Sequence, residues 1–140
     1  MFKRLLPVLG LLTIVGTAHA EMKPSIESKI LLQSSSSWDG TPYTAYPTGQ
    51  PELTVRKVNM PPNSSFDWHK HPMPAAGYVV SGELIVEGRE GGKKVTLTAG
   101  QVLPEMNNIV HRGSSGDRPT ELIVFYAGTP GMPISIDAAP

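Results

Sequence analysis

The chain has no cysteine among its 140 residues. That excludes disulfide staples, although an exported protein would be permitted them, and it excludes a lipid-anchored cysteine at the N-terminus. No segment shows the three-to-four-residue apolar spacing of a long amphipathic helix. The longest apolar run, Leu5 to Val15, contains Pro7 and Gly10 and falls short of the roughly 18 to 20 residues that a membrane-spanning helix needs. Charge runs are also missing. Twelve Lys plus Arg balance twelve Asp plus Glu, with no basic stripe for nucleic acid and no polybasic patch for a membrane surface. The partners left are a small molecule, a metal ion or another protein.

What the first twenty residues do contain is Lys3-Arg4, the apolar run and then Ala18-His19-Ala20, a small-x-small cleavage pattern. They read as a signal peptide removed after Ala20, which would place residues 21–140 in the periplasm or outside the cell without a membrane anchor. That remainder has the usual size of one domain, enough to bury a core without staples.

Glycine and proline number fourteen each, together well above the usual share of about 12 %. They are dispersed between short apolar segments, the pattern of many tight turns joining short strands. Residues 21–51 read as an N-terminal arm with a first strand at Lys29 to Gln33, then an extended, aromatic lead-in that covers the barrel. From Glu52 the expected strands fall at 52–60, 65–71, 76–80, 83–88, 93–100, 101–105, 108–113 and 120–128. About eight to ten strands closing on themselves would leave few exposed edges. The tail after Gly128 is expected over one end of the barrel or loose.

Beyond the leader there are three histidines, His69, His71 and His111. On a strand over 65–71, alternation aims His69 and His71 the same way, about 6 to 7 Å apart. Imidazole is the commonest metal-binding side chain, and one histidine alone would more often be a hydrogen-bonded or exposed residue. The pair plus a third on a separate short strand points to metal ligation. Glu105 lies in an otherwise apolar QVLPEM segment and would approach His111 if 101–105 and 108–113 form a hairpin. Asp67 shares the histidine face and is a second candidate for a ligand carboxylate, with a short side chain one step further along the strand; it could instead orient a ring through its second nitrogen. Tyr78, Trp68, Phe66, Met73 and Phe125 could line a pocket, with Phe66 and Trp68 expected to point away from the histidines. Arg112 and Arg118 could meet an anion.

Over about residues 52–128 the chain resembles a small single-domain cupin. The family's first motif is HxH, a glutamate four residues on and a glycine seven further. Here His69, His71 and Gly82 match it, and Ala75 stands where the glutamate should be. The second motif's glycine and histidine, eleven apart, are matched by Gly100 and His111. Asn63 and Asn108 stand at glycine positions, where asparagine tolerates the left-handed backbone, and Ser115 stands for the motif's asparagine.

The resemblance implies an all-β fold, a cupin-type double-stranded β-helix (jelly-roll) barrel of short antiparallel strands. It also implies one divalent first-row metal (Fe, Mn, Zn, Ni or Cu) and a homodimer paired through outer sheets. The metal ligands would be His69, His71 and His111, alone or with Glu105 replacing the carboxylate that Ala75 lacks. Oxygenase, isomerase and decarboxylase chemistries on a small molecule all fit such a site. The competing readings are a non-catalytic module that binds a metal or small ligand, and a purely structural domain.

Overall fold

Alternating side chains punctuated by glycine and proline turns produce nine strands and no helix among the described residues. The computed structural model describes Lys23 and residues 25–139, so the signal peptide expected at 1–20 lies outside the described residues. The strands are β1 (Glu52–Met60), β2 (His69–Lys70), β3 (Ala75–Ser81), β4 (Glu83–Gly88), β5 (Lys94–Thr98), β6 (Val102–Pro104), β7 (His111–Ser115), β8 (Thr120–Gly128) and β9 (Ile136–Asp137). They form two sheets, β1-β8-β3-β6 and β5-β4-β7-β2-β9, with every strand pairing antiparallel.

The core lies between the sheets. Alternation aims Val79 of β3, Leu84 and Val86 of β4, Leu103 of β6 and Leu122 and Val124 of β8 inward, and all are buried. Each such side chain contributes roughly 1.5–3 kcal/mol on burial. The chain passes from one sheet to the other at Gly82, whose φ of 79° belongs to the left-handed region. A Cβ there would lie 2.4 Å from the Pro119 carbonyl oxygen and 2.5 Å from Thr120 Oγ1, so only glycine fits. Thr120 Oγ1 clamps the crossing, accepting from Glu83 N and donating to Glu83 O. Asn63 and Asn108 take φ values of 53° and 58°, the left-handed geometry expected where the motifs have glycine.

Several expectations need correction. Lys29 to Gln33 form no strand. Ile30 is 74 % exposed. Residues 65–71 are not one strand: only His69–Lys70 belong to β2, with an isolated bridge from Ser65 to Ser114. The break in alternation turns Phe66 inward, its ring centroid 5.9 Å from that of His69, where it was expected to point away. Trp68 does face out, under the Arg112 guanidinium at 4.4 Å. Residues 101–105 and 108–113 make no hairpin, because β6 pairs with β3 in one sheet and β7 with β4 and β2 in the other. The tail is ordered against the barrel through β9 and a hydrogen bond from Ala138 N to Trp68 O.

Candidate metal centre

His69 and His111 are direct cross-strand partners on β2 and β7. His71 follows β2 and is held by a bridge to Asn107, with Asn108 N donating to the His71 carbonyl. The three rings form a near-equilateral triangle, with centroids 4.8, 4.9 and 5.1 Å apart. One ring nitrogen of each lies within 4.8 Å of the other two, so the three histidines are positioned to bind one metal ion.

Their orientation comes from the main chain. Nδ1 of His69 lies 2.8 Å from Asp67 O, that of His71 2.7 Å from Ile134 O and that of His111 2.8 Å from Ile109 O. A carbonyl oxygen can only accept, so each Nδ1 carries the proton and each neutral ring keeps its lone pair on Nε2. Asp67 orients a histidine as its position suggested, but through its backbone oxygen rather than its carboxylate.

Glu105 arrives from the opposite sheet, one residue beyond β6. Its N–H donates to Ala75 O at 2.9 Å, which seats it directly beside the residue that lacks the motif carboxylate. The side chain passes over Gly77, where a Cβ would lie in ordinary contact, 3.5 Å from Glu105 Oε1. The N-terminal arm holds Glu105 from behind, with Trp38 N donating to Pro104 O and the Tyr43 hydroxyl donating to Glu105 O at 2.7 Å. Glu105 Oε2 faces His111 Nε2 at 3.4 Å, and both atoms are buried without a hydrogen-bond partner.

The electrostatics follow from that juxtaposition. Burial alone would raise the Glu105 carboxyl, but contact with His111 and the nearby His71 and His69 hold it below its ordinary range. Burial works to lower His111, and the Glu105 carboxylate overrides it, raising the imidazole above the usual value. His69 and His71 are lowered, chiefly by burial, and so are neutral donors. Tyr126 is raised by burial and by the Glu105 charge, with Arg56 opposing.

These groups line a cavity of about 170 Å³ that opens at the barrel mouth. Of the proposed pocket residues only Phe66 reaches it. Met73 is core, and Tyr78 and Phe125 sit on outward positions of β3 and β8. Arg112 is tied to Glu87 at 2.5 Å on the outer surface, and Arg118 is exposed. Arg56 and Tyr126 line the cavity instead. A signal was available for Tyr126, which continues the inward series Leu122, Val124, but not for Arg56, whose pairing with Val124 belongs to the fold.

No curated protein matches the sequence. Solved structures of similar fold include the DMSP lyase DddQ from Ruegeria pomeroyi, at 22 % identity and TM-score 0.56, covering 72 % of this chain and 48 % of that one. A cupin-like protein from Thermotoga maritima has 20 % identity and TM-score 0.54, covering 62 % of this chain and 65 % of its own. An RmlC-like cupin from Shewanella frigidimarina has 24 % identity and TM-score 0.50, over 57 % and 69 %. The chain spans about half the length of the DMSP lyase, and at these identities the likeness is one of fold. The family model of the cupin domain matches residues 56–126, more than half of the sequence, and the chain belongs to the cupin family.

Proposed function

We propose that this cupin holds one divalent first-row metal on His69, His71, His111 and Glu105 and acts with it on a small molecule. The observation that carries the reading is the pair of partnerless buried atoms, His111 Nε2 and Glu105 Oε2. With Nδ1 protonated, the neutral ring and the carboxylate present two acceptors to each other at 3.4 Å in a buried site. Such a pair is repulsive unless a cation, proton or metal, lies between them. Two ligands that each stand about 2.1 Å from one ion are themselves about 3.0 to 3.4 Å apart, so the spacing suits a shared metal.

Three imidazoles and one carboxylate suit zinc, iron, manganese, nickel and copper alike. When bound, the ion supplies Lewis-acid or redox chemistry at positions open to the cavity. The chain's own part is to hold the donors, keep His69 and His71 neutral and wall the site with apolar side chains. The reading extends to export, supported by Lys3-Arg4 and the Ala18-His19-Ala20 pattern. It extends also to pairing of two copies through the first sheet, supported by exposed Leu53, Val55 and Phe125 on outward positions.

Elemental analysis of the purified protein tests the central claim. About one equivalent of metal is expected in the wild type, with loss of that metal in His69→Ala and His111→Ala. Finding no metal, together with a melting temperature unmoved by Mn²⁺, Fe²⁺, Ni²⁺ or Zn²⁺, would overturn it, because a ligand that binds only the folded state must stabilise it.

A further inference from the structure

Arg56 lies on β1 opposite Val124, between Thr54 and Val58, at a position whose alternation belongs to the barrel interior. Among the described residues it is the one arginine or lysine lining the histidine cavity. Lys57, Lys94 and Arg112 all pair with carboxylates, whereas Arg56 has no carboxylate partner among the described residues. Its charge acts instead on the Tyr126 phenol, a residue only 4 % exposed whose ring lies 5.4 Å from that of His71. An exposed arginine and a buried phenol thus share one cavity with the histidine cluster.

The facing wall is apolar, formed by Phe66, Leu84 and Val86, and Leu122 and Val124 of the neighbouring β8 continue that surface. The acidic residues of the lining other than Glu105 are Asp67 and Asp137, both exposed, the first just before β2 and the second on β9. The cavity therefore has a polar corner built by Arg56 and Tyr126 and an apolar body. Its volume of about 170 Å³ is near that of a 150 Å³ cavity that accepts benzene, which limits a ligand to roughly six to ten non-hydrogen atoms.

We infer that the substrate is a small organic carboxylate, its anionic end forked by Arg56 and touched by the Tyr126 hydroxyl, its apolar body against Phe66, Leu84 and Val86. The guanidinium suits a carboxylate because its parallel N–H groups match two oxygens at once. This deepens the proposed function and rests on it for the chemistry that follows binding, not for the recognition itself.

The test uses the full chain as purified, with its metal content measured, and two probes of equal shape, benzoate and its neutral isostere benzamide. Binding is read by calorimetry in wild type, Arg56→Gln and Arg56→Lys. The wild type should bind benzoate at least tenfold more tightly than benzamide. Arg56→Gln should remove that preference with metal content and benzamide binding unchanged, and Arg56→Lys should restore part of it. Equal binding of the two probes by wild type, benzoate affinity unchanged in Arg56→Gln, or no binding of benzoate at millimolar concentration would each overturn the inference. A metal-free protein that still prefers benzoate through Arg56 would sink the metal reading and leave this one standing. A metal-loaded protein indifferent to Arg56 would do the reverse.

Discussion

Replacing Glu105 by glutamine keeps the shape of a buried side chain and removes its charge, so the effect on metal affinity isolates the carboxylate. The structure bounds that effect from below. Glu105 Oε2 is 3.4 Å from His111 Nε2, and an ion bound to that nitrogen stands about 2.1 Å from it, so the ion and the carboxylate oxygen can be no more than about 5.5 Å apart. Between charges of +2 and −1 at that distance, even full bulk-water screening leaves about 1.5 kcal/mol, a factor of about ten in the dissociation constant. If the carboxylate coordinates the ion directly, the loss should exceed the 10- to 100-fold typical of groups one step removed from a metal. Competition against a chelating dye at neutral pH measures this, with a thermal melt of the metal-free variant to confirm folding. A dissociation constant within about threefold of wild type would refute the reasoning and return the site to three histidines.

Metal binding should also release protons. His69 and His71 are lowered and already neutral, whereas His111 is raised and Glu105 lowered, so the metal-free pair keeps a proton on His111 above the ordinary imidazole value near 6.5. Calorimetry in buffers of different ionisation enthalpy should therefore find about one proton displaced per ion near that pH, with affinity rising as pH increases through the raised value; zero release near 6.5 would contradict the assignment. Gly82→Ala should lower stability by about 2–5 kcal/mol in denaturant unfolding, since a left-handed backbone and a clash with Pro119 and Thr120 act together. Tyr43→Phe should cost about 1 kcal/mol for the lost hydrogen bond to Glu105 O. It should also remove from the alkaline absorbance titration the one phenol pushed up to about 12, by burial first and then by Glu105 and Asp39.

Strand positions from Glu52 onward were legible because period-two alternation and glycine or asparagine turns are local signals, and β1, β4 and β8 begin and end where the sequence puts them. The pairing of distant segments was less so. Glu105 was connected to His111 through a hairpin that does not exist; the two meet because facing sheets bring β6 and β7 across the same interior. No local pattern encodes that. Phe66 was misplaced for the opposite reason, since alternation was extended through 65–68 where pairing has lapsed. Arg56 was passed over because a charged residue in a strand reads as solvent-facing until its cross-strand neighbours Val124 and Tyr126 are known.

The three carbonyls that fix the histidine rings belong to Asp67, Ile109 and Ile134, and a carbonyl is present whatever side chain its residue bears. Substitution at those positions can therefore leave the ring orientations intact so long as the backbone path holds. The donor cluster is insulated from drift in its own supports, while the cavity wall of Phe66, Leu84, Val86 and Arg56 is open to it. A lineage carrying this arrangement could exchange one substrate for another by wall mutations alone, and the selective constraint that preserves the cluster would be felt as intolerance of insertions and deletions in the loops carrying 67, 109 and 134.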